Sequence, residues 1–182
     1  DSEKKYKVLY DNAHVALFRT RISDGKILNC NKALMKLAGH NPNEDPANFA
    51  GSGSVSAQYV DPNRRNEFIN ALQVKKRVEC FEAELERIDG TTFWAAFSAE
   101  IFPERGYIEG SMYDITAKKM LTRTEMNILR HLMQGKSNKE IARELGRSVR
   151  TIEDHRAHIM QKFGVDNIVD LTQKVMALPC FQ

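Results

Sequence analysis

Hydrophobic and polar residues alternate along several short segments in the first two thirds of the chain. In residues 81–86, Phe81, Ala83 and Leu85 alternate with three glutamates. Successive side chains of a strand point to opposite faces of a sheet, so this segment predicts a strand with one buried and one solvated face. Residues 91–102 are apolar at alternate positions and also carry Trp94 between them. This second segment predicts a strand that needs cover on both faces, from the N-terminal helix or from another subunit.

Two dipeptides, Asp24-Gly25 and Asp89-Gly90, lie between apolar segments. Glycine accepts positive φ at little cost, so both dipeptides predict tight hairpin turns. The predicted strands cover 15–19, 27–30, 81–88, 91–102 and 107–115, with helices over 6–12, 32–38 and 64–76 and a loop over 43–56.

After Thr116 the pattern becomes helical. Thr122 and Glu125 are three residues apart, as are Ser137 and Glu140. Both pairs fit the capping box, in which a hydroxyl and a glutamate bond the first free amides of a helix. The sequence predicts four short helices, which end at Gly135, Gly146, Gly164 and just before Pro179.

The third of these helices, 148–163, has two contrasting faces. Ile152, His155, Ile159 and Phe163 recur at helical spacing and predict a buried stripe. The opposite stripe is polar with a small residue at its centre, which suits a helix in the major groove of DNA. Its members are Arg150, Glu153, Asp154, Ala157 and Gln161.

Composition and charge narrow the class of protein. A chain of 182 residues with 42% hydrophobic and 28% charged residues predicts one ordinary or two small globular domains. No apolar stretch approaches the roughly 18 residues of a membrane span, so we expect a cytoplasmic protein without a membrane partner. The widely spaced Cys30, Cys80 and Cys180 predict neither a disulfide framework nor a zinc site.

The net charge of +3 is unevenly distributed. Residues 119–182 hold 11 basic and 7 acidic residues, whereas residues 1–118 hold 16 basic and 17 acidic residues. Positive charge is therefore concentrated in the helical part, where it would neutralise phosphates. The basic residues near the turn between the second and third helices are Lys136, Lys139, Arg143, Arg147 and Arg150.

Many positions in the helical part agree in register with one known family. They are 121–125, 135–142, Ser148, 151–153, His155, Ile159, 162–163 and Val165. Residues 120–178 thereby resemble the LuxR-type helix-turn-helix domain. The resemblance implies an all-α domain of four helices, whose third helix reads double-stranded DNA and whose fourth supports a homodimer.

Site residues follow from this resemblance position by position. It implies phosphate contacts at Lys139, Ser148 and Thr151. Base contacts are implied at Glu153, Asp154 and Ala157, with Arg156 close by. Lysine is frequent in the family at the positions of Glu153 and Ala157. Because carboxylates accept from cytosine N4 but repel phosphates, we expect Glu153 or Asp154 to contribute selectivity and nearby arginines to contribute affinity.

The order of elements in residues 1–118 is similar to that of the PAS fold. The resemblance rests on Leu17-Phe18-Arg19-Thr20, 24–28, 31–34, 59–62, 87–90 and 110–116. It implies an α+β domain with a five-stranded antiparallel sheet and flanking helices. The expected organisation is a PAS sensor and dimerisation domain over 1–118, followed by the DNA-binding domain over 119–182.

The PAS resemblance leaves the cofactor unknown, because the family hosts haem, flavin, small organic molecules or no ligand. Cys30 lacks the setting of a flavin-binding cysteine, and His40 and His14 are weak candidates for haem ligation. An apolar pocket facing the sheet could hold a small molecule or be ordinary core. Its candidate residues are Phe18, Leu34, Leu37, Phe68, Phe81, Leu85, Phe93, Phe97 and Ile101.

The sequence as a whole predicts a DNA-binding transcriptional regulator, not an enzyme, since no catalytic motif is present. Two alternatives stay open. In one, the PAS domain is a constitutive protein-interaction module without a ligand. In the other, a chain that does not begin with methionine is the output portion of a longer signal-transduction regulator. No metal site is expected, because no carboxylate or cysteine in the sequence completes one with His155 and His158.

Overall fold

A computed structural model describes residues 2–41, 43, 44, 58–179 and 181. The chain forms two compact units, Asp1–Ile115 and Thr116–Gln182. Most of the predicted loop over 43–56 lies outside the described residues. No helix in the described part of the chain combines the length and apolar character that crossing a membrane requires.

The first unit is an antiparallel five-stranded sheet with flanking helices, as predicted. The strand order is β2-β1-β5-β4-β3, so the first and last strands along the chain pair near the middle of the sheet. The elements are α1 (Ser2–Asn12), β1 (Ala16–Arg21), β2 (Ile27–Cys30), α2 (Lys32–Leu37), α3 (Pro62–Lys75), β3 (Arg77–Glu86), β4 (Thr92–Phe102) and β5 (Tyr107–Asp114).

Both predicted hairpins form, but their connections are longer than two residues. The first closes with the Arg21 amide bonded to the Lys26 carbonyl at 2.8 Å, and the second with the Arg87 amide bonded to the Thr91 carbonyl at 2.8 Å. Asp24 and Asp89 bond amides two residues ahead, at Lys26 and Thr91. These side-chain bonds stabilise wider turns than a tight hairpin needs.

Strand β3 begins four residues earlier than predicted, at Arg77. The pairing of β3 with β4 shifts register between Val78 and Phe81, and Cys80 has a φ of 55°. A β-bulge of this kind interrupts the alternation of apolar and polar residues, which is why the sequence pattern began only at Phe81. Cys80 is disulfide-bonded, so the expectation that the cysteines form no disulfide is wrong at this residue.

The second unit is helical. Both predicted capping boxes are present, with Thr122 paired to Glu125 and Ser137 paired to Glu140. The four predicted helices form, and a further four-residue helix precedes them where the sequence predicted a plain connection. The helices are α4 (Thr116–Lys119), α5 (Arg123–Met133), α6 (Asn138–Leu145), α7 (Val149–Phe163) and α8 (Ile168–Met176).

The core of the second unit includes three of the four residues in the predicted buried stripe of α7. Ile152, Ile159 and Phe163 are buried. They pack with Ile128 and Leu129 of α5 and with residues of α6 and α8. His155 is half-buried instead of buried, which corrects the prediction for this residue.

Candidate nucleic-acid interface and sensor cavity

The connection between α6 and α7 has the geometry of a helix-turn-helix. Gly146 ends α6 with a φ of 61°, in the left-handed region that glycine favours, and its amide bonds the Ala142 carbonyl. Two residues later, Ser148 begins the next helix, because its Oγ accepts a hydrogen bond from the Thr151 amide at 3.0 Å. The turn is therefore short and fixed at both ends.

The face of α7 opposite the core is exposed along its length. Arg150, Glu153, Asp154, Ala157 and Gln161 are all exposed. A side chain at the centre of this face, Ala157, is small, so the helix backbone is able to approach another surface closely. The arrangement offers hydrogen-bond donors and acceptors on an exposed helix face, which is what reading base edges in a major groove requires.

The remaining residues that were predicted to contact DNA lie around this face and differ in their exposure and hydrogen bonding. Ser148 and Thr151 have hydroxyls 2.8 Å apart within the cap of α7. Arg156 is half-buried and donates to Asn138 Oδ1 at 3.0 Å, so it joins α7 to the start of α6. Lys139 and Arg147 are exposed.

The basic residues near the turn differ in their pairing. Lys136 Nζ lies 2.6 Å from Glu144 Oε2 and 3.1 Å from His131 Nδ1. Its hydrogen bond to Glu144 lowers the pKa of that carboxyl and so favours the carboxylate form that Lys136 bonds. Lys136 is therefore less available to a phosphate than the sequence suggested. Basic residues without an ion pair to the described acidic side chains are Lys139, Arg143, Arg147 and Arg150.

Glu125, in the first turn of α5, is buried. Besides forming the predicted capping box, its carboxylate pairs with Lys162. Its Oε2 accepts from the Thr122 amide at 2.7 Å, from the Thr122 hydroxyl and from Lys162 Nζ at 2.7 Å. Burial opposes ionisation, but the bonds from Lys162 and Thr122 outweigh it and lower the pKa of Glu125 to about 2. The ion pair thus joins α5 to the last turn of α7.

The sequence argument found no carboxylate to complete a metal site with His155 and His158, but the structure brings Glu125 beside them. One carboxylate oxygen of Glu125 and one ring nitrogen of each histidine lie within 4.8 Å of one another. Glu125 is 30 residues from His155 along the chain, and the packing of α5 against α7 brings the two close together. Sequence spacing carried no signal for this cluster.

The first unit encloses a cavity between its sheet and helices α2 and α3. Its volume is about 20 Å³, which is room for about one water molecule. Six of the nine predicted pocket residues line it, and the rings of Phe18 and Phe68 each pack against Phe97. These six are Phe18, Leu34, Phe68, Leu85, Phe93 and Phe97.

Three predicted pocket residues do not line the cavity. Leu37 lies to the side of Leu34 and Ala38, which are one helical turn apart and face the cavity. Phe81 follows the bulge in β3. Its ring packs against that of Phe68, with the two ring centroids 5.1 Å apart. Ile101 is buried, but it lies four residues beyond Phe97, about 13 Å along the strand.

Polar groups in the cavity wall were missed by the sequence argument. Thr20, Tyr59 and Arg65 are buried there. Burial raises the pKa of Tyr59 to about 12, although the nearby Arg65 guanidinium opposes the rise. The cavity therefore presents a neutral hydroxyl and a cation among aromatic rings. Neither His14 nor His40 is among the residues that line it.

Comparisons with known families agree with the division of the chain into two units. Residues 15–117 match the model of the PAS domain, and residues 119–175 match that of bacterial regulatory proteins of the luxR family. The transcriptional regulatory protein UhpA of Escherichia coli (strain K12) is 46% identical over 55 residues, which is 30% of this chain and 28% of UhpA. The chain spans about a quarter of the length of the curated relatives that it matches.

Solved structures show the fold of the first unit. The PAS domain of an HTR-like protein from Haloarcula marismortui has a TM-score of 0.50 at 19% identity, covering 63% of this chain and 97% of that domain. A second structure is the PAS domain of a LuxR-family transcriptional regulator from Burkholderia thailandensis, in complex with ethanol. It has a TM-score of 0.50 at 15% identity, and the match covers 60% of this chain and 96% of that domain.

Proposed function

Because this chain belongs to the PAS domain family and continues into a DNA-binding domain of the luxR family, we propose that it is a sequence-specific, DNA-binding transcriptional regulator. The observation that supports this most directly is the exposed polar face of α7, the second helix of the helix-turn-helix, which lies opposite a buried face and follows the Ser148 cap. Such a protein acts in the cytoplasm of a bacterium, where the chromosome lies, and has no need of catalysis.

In the proposed complex, α7 lies in the major groove. Lys139, Arg147 and Arg150 meet phosphates, with the hydroxyls of Ser148 and Thr151 at the start of the helix. Base edges are read by the exposed face further along the helix. The residues proposed to lie against bases are Glu153, Asp154 and Ala157.

Glu153 and Arg150 are given different tasks in this proposal. A carboxylate accepts from cytosine N4, which discriminates between base pairs, but it gains nothing from phosphates. An arginine that meets a phosphate contributes to all duplexes alike. Arg156 is proposed to act indirectly, since its bond to Asn138 holds α7 against α6.

The test begins with duplexes selected by the full chain from a random-sequence pool. Arg150→Ala should weaken binding to selected and random duplexes by a similar factor and reduce the salt dependence. Glu153→Ala should weaken binding to the selected duplex only, by about tenfold. Lys36→Ala, which removes an exposed charge from the first unit, serves as the control and should bind as the parent does. Equal losses on both duplexes for Glu153→Ala would contradict its role in selectivity.

We propose further that the regulator is a homodimer assembled in part through the first unit. A groove of about 610 Å³ crosses the outer face of the sheet and is bordered by Leu9 and Tyr10 of α1. Leu9 and Val8 are exposed to 73% and 58%. Exposed apolar side chains beside a groove favour a second copy as the occupant. Two α7 helices in a dimer would match half-sites roughly 34 Å apart.

The first unit is proposed to sense a small, largely apolar molecule. The support is an aromatic cavity whose wall also holds Tyr59, Thr20 and Arg65, a combination that orients a ligand with one polar group. Since the cavity admits only about one water molecule, a ligand requires the side chains to move apart.

The small volume also favours a second candidate, in which the first unit is a constitutive interaction module without a ligand. Native mass spectrometry of the purified full chain discriminates between the two. A co-purified molecule that is lost on Phe97→Trp, which fills the cavity, supports sensing. A dimer mass with no added molecule, from several growth conditions, supports the constitutive module.

A further inference from the structure

We infer that Glu125, His155 and His158 form a binding site for a divalent transition metal ion of the zinc class. The three residues come from two helices, and each offers one ligand atom within 4.8 Å of the others. Two imidazoles and one carboxylate are a donor set that zinc accepts, with a fourth position left for water. The inference concerns the second unit alone and does not depend on DNA binding.

The two helices hold the donors in a suitable arrangement. His155 and His158 are three residues apart on α7, so their side chains leave neighbouring positions of the same helix. Glu125 faces them from the first turn of α5, where the capping box fixes its position. Tetrahedral zinc requires donor atoms about 3.4 Å apart, given zinc–ligand distances near 2.1 Å. We expect His158, whose ring is exposed, to close the 4.8 Å spacing by side-chain rotation.

The carboxylate is already bonded on one side only. All hydrogen bonds to Glu125 from described residues end on Oε2, where Thr122 and Lys162 donate. Oε1 is therefore the oxygen proposed for the metal. Lys162 is the competitor, because its cation lies 2.7 Å from Oε2. The same ammonium also donates to the Met120 carbonyl at 3.1 Å, so it has a second partner when a metal draws on the carboxylate.

A metal in this position would link α5 directly to α7. Glu125 would remain the capping residue of α5 while also meeting the two histidines of the proposed DNA-reading helix. His158 lies beside Ala157 on the exposed side of α7. Ions from solvent would therefore reach the site from the His158 side, since Glu125 is buried and His155 is half-buried.

The test uses the full chain without a polyhistidine tag, with Zn²⁺ in calorimetry and Co²⁺ in absorption spectroscopy. We expect one ion per chain at this site and visible Co²⁺ bands of a low-coordinate complex without thiolate charge transfer. His158→Asn, at an exposed position, should weaken binding at least tenfold. The matched control is His14→Asn, an exposed histidine of the first unit, which should bind as the parent does.

Lys162→Met provides a second, opposite test. Removing the competing cation should tighten Zn²⁺ binding about tenfold, and Zn²⁺ should raise the Tm of this variant more than that of the parent. A merely structural role of the histidines would not produce this gain. Unchanged affinity in His158→Asn, or no saturable Zn²⁺ binding by both the parent and Lys162→Met, would overturn the inference.

Discussion

At the scale of single residues, Asn31 has a structural role in the core that would not be expected of a polar residue. It is fully buried, and its side-chain oxygen accepts from the amides of Leu17 and Leu34, both at 3.0 Å. Its side-chain nitrogen donates to the carbonyls of Tyr10 at 3.1 Å and Val15 at 2.8 Å. One amide group therefore caps α2 and attaches α1 and β1 to it.

Asn31→Ala should lower the free energy of unfolding of the first unit by about 3 kcal/mol. The substitution removes a helix cap and leaves several buried amides and carbonyls without partners. Urea unfolding followed by the fluorescence of Trp94, the only tryptophan, measures this loss. Asn29→Ala, at an exposed position two residues earlier, is the control and should change stability by less than about 0.5 kcal/mol. Similar losses for both variants would exclude the role of Asn31.

Tyr59 makes the first unit sensitive to alkaline pH. Its pKa rises from an ordinary 10.0 to about 12, because burial disfavours the phenolate. The folded state therefore resists ionisation that the unfolded state undergoes above pH 10. The stabilisation is complete below pH 10 and is lost as pH rises towards 12, amounting to about 1 kcal/mol by pH 11.

This loss should be smaller in Tyr59→Phe, which has no phenol to ionise at this position. Urea unfolding of both proteins at pH 8, 9, 10 and 11 gives the comparison. The difference in free energy of unfolding between parent and variant should shift by about 1 kcal/mol in favour of the variant between pH 9 and pH 11. Parallel pH profiles would mean that Tyr59 ionises as freely in the folded chain as in the unfolded one.

At the scale of elements, the pairing of β4 with β5 depends on Gly110, which has no side chain. A Cβ on Gly110 would lie 2.5 Å from the Ser98 carbonyl oxygen and 2.7 Å from the Ala99 Cβ. Ala99 is the direct partner of Gly110 in the ladder. The backbone of the neighbouring strand is unable to move away without breaking the register.

Gly110→Ala should therefore destabilise the first unit by about 2 kcal/mol or more, within the range of overpacked cores. Ser111→Ala, one residue along the same strand, is the matched control because a Cβ is already accommodated there. Thermal unfolding of both variants measures the difference. A Gly110→Ala variant as stable as Ser111→Ala would show that the two strands separate easily.

At the scale of the whole molecule, the charges are divided between the two units in accordance with the proposed tasks. The segment with more basic than acidic residues is 119–182, and its exposed α7 face carries both signs. The first segment is nearly neutral and has exposed apolar side chains on α1. Affinity for DNA and association between copies are thereby assigned to different units.

Leu9→Asp should weaken the proposed dimer at least tenfold by placing a charge on an apolar contact. Sedimentation equilibrium of the full chain over a range of concentrations measures the change. Val74→Asp is the control, since Val74 is also exposed and apolar but lies on α3, outside the groove. If the parent is monomeric at all concentrations, with and without DNA, the dimer is excluded.

Local pattern was sufficient for most elements but not for the sites. Capping boxes and turn glycines act within four residues, so the helices of the second unit were predicted from sequence. The start of β3 was not, because the bulge near Cys80 breaks alternation. Tertiary packing places Arg65 and Tyr59 in the cavity wall. Their spacing in the sequence did not indicate that both would line the same cavity.

The sequence by itself determined the two fold classes and the face of α7 that meets solvent, because periodicity and end caps are local properties of the chain. Only the tertiary structure decided which distant groups meet. It placed Glu125 against Lys162 and the two histidines, turned Arg156 towards Asn138, and reduced the predicted pocket to room for about one water molecule. Such contacts join residues far apart in the chain, and they follow from how helices and sheet pack together, not from spacing along one element.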